Sequence, residues 1–580
     1  MKYFTAQSIP HRVILSGRRI SSTRCFADAQ HDAALAANLN ASTPMSARTA
    51  AQSHESGVRK WAPLSVLSLA LAIIIIDSTL LNVSLSTLIR ELHTNLQSLQ
   101  WVISSYSLML AALTVTGGRM GDLFGRKRMF MGGALIFAIG SFIASISNSV
   151  PVLLIGESII EGIGAALMMP ATASLLVSKY RGHDRAIAFG IWGGVAAAAS
   201  AIGPILGGFL TTHYSWRWGF RINLFVVALL LVGSMIIEDA QERAGKDIDW
   251  IGVLLSAAGL FFVVFGIIES ESYGWLRARK PFPLWQPGSI SIAPIAVVIG
   301  AVILVFFAMW ERRLENRGGT PIVSMRLFGN RQFVSGASVI AVLMLAQNGV
   351  IFTLPVFLQS VKRLDAFHTG LTLLPMSLML LIVSPAAAAF TKRIPHKRLV
   401  QSGLIVNALA IVILRFTISI DMNLNWLIPG LSLYGIGLGL VLSQINNLTL
   451  SAVPVREAGE ASGVTNTFRQ IGLSLGAAII GAILISTILV RLDSAVEQSN
   501  NITTQSKAQI IGMLRAQAAG LAFGESGIFD KLPPPIRTEM MEQRRLATTA
   551  GIQRAFLVGA FFALLGLGVS TLLPLRPRQE

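Results

Sequence analysis

Apolar residues run in long stretches along most of the chain, punctuated by Gly, Pro and clusters of charge. An α-helix needs about 20 apolar residues to cross the hydrocarbon core of a bilayer. From Trp61 onward such runs recur near 63–89, 99–118, 128–147, 151–178, 186–211, 219–237, 250–269, 289–310, 333–358, 367–390, 398–419, 425–452, 460–490 and 552–573. The pattern predicts an all-α integral membrane protein with 14 transmembrane helices. Several runs exceed the minimum, and tilt absorbs the excess.

Two stretches break the pattern. Residues 1–60 mix Arg12, Arg18, Arg19 and Arg24 with Ser, Ala, Gln and His. They read as a disordered cytoplasmic tail without the apolar core of a secretory leader. An Arg-rich targeting segment and a start at Met45 are the alternatives left open. Residues 491–550 read as a long polar outer loop, with Pro533-Pro534-Pro535 and the sequon Asn501-Ile502-Thr503. No function follows from it.

Composition excludes other classes. Of 580 residues, 53% are hydrophobic and 13% charged, against about 25% charged in soluble domains. The mean hydropathy is +0.63, which excludes a disordered chain, a fibrous chain and an ordinary soluble enzyme. A net charge of +18 would suggest nucleic acid in a soluble protein; here it fits loops facing an anionic leaflet, and no nucleic acid is expected. With the N-terminus inside, the inner short loops carry nineteen Lys and Arg and the outer short loops seven. Both termini are therefore expected in the cytoplasm. Cys25 is the single cysteine, which precludes an intrachain disulfide or a cysteine-based metal site.

The energy source is narrowed by what the sequence lacks. It has no G-x-x-x-x-G-K-[ST] phosphate loop. The histidines at 11, 31, 54, 93, 183, 213, 368 and 396 fall in tails, loops or span ends, with no metal or haem spacing. No Ser/His/Asp set is legible. Neither an enzyme, a cofactor nor a metal centre is expected, and an ion gradient remains as the source of work.

Charges inside the spans are the candidate chemistry, since each intramembrane carboxylate costs about 2.5–3.5 kcal/mol on insertion scales. Asp77 falls midway along the first span; Glu157 and Glu161 fall in the fourth. Their i,i+4 spacing stacks the two glutamates on one face of an α-helix, a pair suited to sharing a proton. Arg221 and Arg469 are the basic counterparts, with outward snorkelling the alternative for Arg221 and a buried role expected of Arg469. The fifth span is rich in small residues, and Gly203, Pro204, Gly207 and Gly208 permit either a hinge or a tight static contact.

Several of these stretches resemble the major facilitator superfamily, specifically its fourteen-helix drug:proton antiporter branch. Gly118-Arg119-Met120-Gly121-Asp122-Leu123-Phe124-Gly125-Arg126-Lys127-Arg128 is similar to the signature G-x-L-x-D-R-x-G-R-K-x between the second and third spans. The resemblance implies a gate latch of Gly118, Arg119, Gly121, Asp122, Gly125, Arg126 and Lys127 that stabilises the outward-open state. Physically, Gly121 and Gly125 permit a tight turn, and Asp122 can cap the next helix or pair with a base across the interface. Leu123 stands where a basic residue is usual. The Gly203–Gly208 stretch resembles the antiporter motif of exporters. Ile76-Asp77-Ser78-Thr79-Leu80-Leu81-Asn82-Val83-Ser84 resembles the first-span motif whose Asp is implicated in proton coupling. Trp216–Asn223, Leu354–Gln359 and Val453–Gly463 also resemble the branch.

The fourth span departs from the family pattern. Ser158 replaces the Arg usual four residues before Gly162, and Glu161 stands where Gln is common. An acidic cavity would favour cationic substrates. The resemblance further implies two six-helix halves, at 61–237 and 332–580, around a central cavity, with an inserted helix pair within 238–331. Thr391–Arg398 would echo the basic loop of the first half. Together these imply a proton-coupled exporter of amphipathic compounds in a bacterial inner (plasma) membrane, with small-molecule substrates, protons and lipid as partners. A proton-driven uptake symporter and a non-transporting sensor or assembly protein are the rival readings.

Overall fold

The computed structural model describes residues 57–94, 96–238, 248–278, 282, 290–391, 393–499, 502, 504–516, 529 and 532–575. Backbone polar groups find no water in hydrocarbon and must bond within their own segment, so apolar runs of this length fold as helices. Among the described residues fourteen helices are long and apolar enough to cross a membrane. They are α1 (Gly57–Glu91), α2 (Leu96–Phe124), α3 (Arg126–Ser145), α4 (Val150–Lys179), α5 (Gly182–His213), α6 (Arg217–Gly233) and α7 (Trp250–Tyr273). Then follow α8 (Ile292–Asn316), α9 (Arg331–Val356), α10 (Ala366–Phe390), α11 (His396–Thr417), α12 (Leu427–Leu450), α13 (Ala458–Gln498) and α14 (Pro534–Ser570).

Polar residues at the ends set several boundaries. Asp249, Ser291, Asn330 and Asp365 cap α7, α8, α9 and α10 by accepting amide hydrogen bonds from the first turn. The His368 amide, donating to Asp365 at 2.8 Å, holds that carboxyl below the usual range.

Helices α1–α6 form one bundle and α9–α14 a second, whose core runs from Val339 to Leu573. The inserted α7 and α8 pack on each other where Gly266 meets Ala293 and Gly300 meets Val263. Helix α7 lies against α2 and α13, with Val264 on Leu108 and Ala111. The two halves meet along two seams, α2 on α13 and α5 on α10 and α12.

The expected outer loop is the main departure. Helix α13 runs eight residues past the apolar stretch to Gln498, a further helix spans Thr504–Ala516, and α14 begins at Pro534. Ile502, Ile510, Leu514, Phe529, Met540 and Ala547 are at most 5% exposed and join the second core. Their apolar positions recur at helical spacing beneath a polar average, which conceals them from a hydropathy reading. Beside them Lys362 donates to the carbonyls of Ile420 and Met422, each at 2.6 Å, and burial lowers its pKa. The tail through residue 56, Cys25 included, lies outside the described residues, as do Asn501 and Thr503 of the sequon.

Candidate functional site: a sealed acid cluster and an inner latch

Two polar clusters are built from the residues singled out in the sequence. The first lies inside the α1–α6 bundle. Asp77 on α1, Glu157 and Glu161 on α4 are 2%, 1% and 0% exposed. Asn223 of α6 donates its side-chain amide to Asp77 Oδ1 at 2.8 Å and to Glu161 Oε1 at 3.0 Å. Ser141 of α3 donates to the same Glu161 oxygen and lies 3.0 Å from the Asn223 amide nitrogen. One amide thus bridges two carboxyl groups from different helices. Asp77 Oδ2 and Glu161 Oε2 accept no hydrogen bond from the described residues. Among the described residues no Lys, Arg or His forms an ion pair with any of the three acids.

The stretch that carries both glutamates, Leu154–Glu161, is π-helical, a wider winding that keeps residues four apart near one face. Glycines make room for this. A Cβ at Gly140 of α3 would lie 2.5 Å from the Glu161 nitrogen and 2.6 Å from the Gly156 carbonyl. Glu161 turns to Asp77, while Glu157 Oε2 accepts from its neighbour Ser158 at 2.8 Å.

The second cluster lies at the α2–α3 loop and joins the two halves. Arg126 grips Asp122 through Nε at 3.1 Å and Nη2 at 2.8 Å, and it donates to the carbonyls of Ser174 and Val455. Asp122 Oδ1 accepts from the Gly459 amide at 3.1 Å and Oδ2 from the Glu460 amide at 2.8 Å. Asp122 therefore caps α13, a helix of the opposite half, rather than the next helix in the chain. A carboxylate suits that place because the first turn presents unpaired amides and a partial positive charge. Arg119 Nη1 lies 3.7 Å from Glu460 Oε2, whose other oxygen accepts from the Ser324 amide at 2.6 Å.

Two glycines of the signature act differently from each other. Gly125 has φ of 105° and makes the turn. Gly121 lies within α2 and makes no turn, its Cβ position meeting only Arg126 Cγ at 3.8 Å. At Gly118 the requirement is close approach, since a side chain there would run into the Gly459 carbonyl. Lys127 is half-buried at the start of α3.

The remaining candidates separate. Arg221 is half-buried rather than buried, and its guanidinium lies 5.2 Å over the Trp218 ring, away from the acids. Arg469 lies at the seam between halves, 6.0 Å over the Trp192 ring of α5, with Nη2 donating to Asn446 Oδ1 of α12 at 3.3 Å. Helix α5 continues unbroken through Pro204, and Gly203 and Gly207 seat it on Ile76, Thr79 and Leu80 of α1. In the echo loop, Thr391 and His183 approach to 3.4 Å with no carboxylate between them.

The family model described as Major Facilitator Superfamily matches residues 67–477. The chain belongs to the major facilitator superfamily. Two curated relatives in the superfamily are similar along most of their length. A probable actinorhodin transporter of Streptomyces coelicolor is 29% identical over 433 residues, 73% of this chain and 72% of that one. The multidrug efflux pump LfrA of Mycolicibacterium smegmatis is 27% identical over 519 residues, 88% of this chain and 95% of that one. The superfamily fold is also seen in the crystal structure of the human organic anion transporter MFSD10 (TETRAN), with TM-score 0.55, 13% identity, 88% of this chain and 99% of that one covered.

Asn223, Ser141 and Glu460 were not singled out from the sequence. Asn223 and Glu460 lie inside stretches that resemble the fourteen-helix branch, which is the only signal they carried.

Proposed function

We propose that this protein is a proton-coupled exporter of amphipathic compounds in a bacterial plasma membrane, of the multidrug efflux kind, with both termini cytoplasmic. The observation that carries the reading is the Asp77–Asn223–Glu161 bridge, buried and without an ion-pair partner among the described residues. Holding several negative charges there would cost several kcal/mol per ion. A proton is the small positive partner such a site accepts, and it is released when the helices part and water enters.

The latch supplies the coupling to direction. Asp122, Arg126, Arg119 and Glu460 tie α2 and α3 to α13 at the basic, cytoplasmic end, which keeps the inner side shut while the outer side exchanges protons and releases substrate. Rocking of the halves breaks these contacts. The Gly203–Gly208 stretch of α5 is the surface on which α1, carrying Asp77, slides. Export rather than uptake is supported by the resemblance of that stretch to the antiporter motif and by the similarity to a probable actinorhodin transporter and a multidrug efflux pump.

The test is a proteoliposome assay with an imposed pH gradient and a panel of amphipathic compounds. Wild type drives compound against proton flow. Asp77→Asn, at equal incorporation, loses gradient-driven transport by roughly 100-fold, the scale on which placed proton-transfer groups act. Unchanged export in the variant sinks the proposal.

A further inference from the structure

The charge at the seam where the halves pack together is opposite to the one the acids alone suggest. All three acids sit among α1, α3, α4 and α6, at most 2% exposed, so they do not line the seam. At the seam, mid-span, stands Arg469 of α13, between Trp192 of the first half and Asn446 of the second. At the next residue of α12, Arg185 of α5 donates to Asn447 Oδ1 at 3.0 Å, so consecutive asparagines each take a guanidinium.

We infer that this seam, when the halves part, binds an aromatic compound bearing an anionic oxygen, a carboxylate or a phenolate, with Arg469 and Trp192 as its contacts. The inference rests on the export reading above and deepens it by naming the substrate class.

Three features carry it. Among the described residues Arg469 has one hydrogen-bond partner, through a long bond, and its Nε has no acceptor. The indole Nε1 of Trp192 likewise has none. Buried donors without acceptors are unfavourable, and both are satisfied by a ligand rich in acceptor oxygens. A guanidinium with Nε and an Nη free to point the same way presents the fork that matches a carboxylate. The Trp192 ring, over which the Arg469 guanidinium lies at 6.0 Å, supplies an aromatic contact for such a body once the halves part. A cationic compound would bring like charge to Arg469 and leave both donors unsatisfied, which reverses the preference expected from the acids of the fourth span.

Two dyes on one xanthene core provide the probe: fluorescein, an anion, and rhodamine 6G, a cation. Binding is read by fluorescence anisotropy on the purified full-length protein. Fluorescein should bind about tenfold more tightly than rhodamine 6G, the ratio that one charge-assisted hydrogen bond supplies. Arg469→Gln should erase the ratio, and Arg469→Lys should keep part of it because the charge remains but the fork is lost. Monodisperse elution of each variant checks its fold. Equal or tighter binding of the cation, no binding of either dye, or an unchanged ratio in Arg469→Gln overturns the inference. If fluorescein binds with the stated preference but a pH gradient moves none of it in proteoliposomes, the export reading fails and the charge preference stands.

Discussion

At mid-span Asp77 and Glu161 share the amide of Asn223 and meet no cation, whereas at the α2–α3 loop Asp122 and Glu460 are each matched by an arginine and by backbone amides of another segment. The first cluster is assembled wholly within one half, so moving the halves apart leaves its contacts intact. The second is assembled across the halves, so parting them would separate its members. An acid with a fixed positive partner is sensitive to geometry, and an acid without one is sensitive to protons. The two clusters share α4, which carries Glu157 and Glu161 in its first turns and Ser174, a partner of Arg126, near its end; in the function proposed above, that helix connects them.

The contrast can be broken most forcefully at Asp122. Asp122→Ala leaves the buried Arg126 without its carboxylate and α13 without its cap. Loss of one partner from a buried pair costs about 3–5 kcal/mol, charged here to the latched arrangement alone. A cysteine placed at Val115, beside Gly463 on the α2–α13 seam, should then be labelled from the loop side far faster than in the latched protein. Unchanged labelling would show that helix packing, not the carboxylate, holds the seam.

A smaller effect is expected at Asn223. Asn223→Ala removes the donor common to two acids, a loss of about 1–3 kcal/mol for the groups left unsatisfied. Gradient-driven export should fall about tenfold, while labelling at position 115 stays at the wild-type rate. If both readouts move together, the two clusters are not separable in the way their contacts imply. The smallest effect is expected at Glu157, whose oxygen is already held by Ser158. Glu157→Gln keeps the size and the acceptor, and export should change by about twofold or less; a loss as large as that of Asp77→Asn would make Glu157 a proton carrier in its own right.

The sequence makes the membrane helices plain because a run of about 20 apolar residues has few other solutions in a bilayer. It also exposes Asp77, Glu157 and Glu161, since a carboxylate in such a run stands out. Their grouping is another matter. The pairing of Glu161 with Asp77 is made through the side-chain amide of Asn223 on another helix, a tertiary contact with no periodic signature. Asn223 is one neutral polar residue among many within the spans. Glu460 occupies a helix start, where an acid is ordinarily solvated and stabilises the first turn, so its burial against Arg119 was not visible. The helical extension of α13 and α14 was hidden by polar residues on their outer faces.

The clasp on α13 has one further consequence. Asp122 and Arg126 are 2% and 3% exposed, and Asp122 meets both the Arg126 guanidinium and the first-turn amides of α13. Counter-ions cannot enter to weaken it, unlike a pair on the open surface. In the gating role proposed above, the clasp would therefore hold with the same firmness whether the salt around the protein rises or falls.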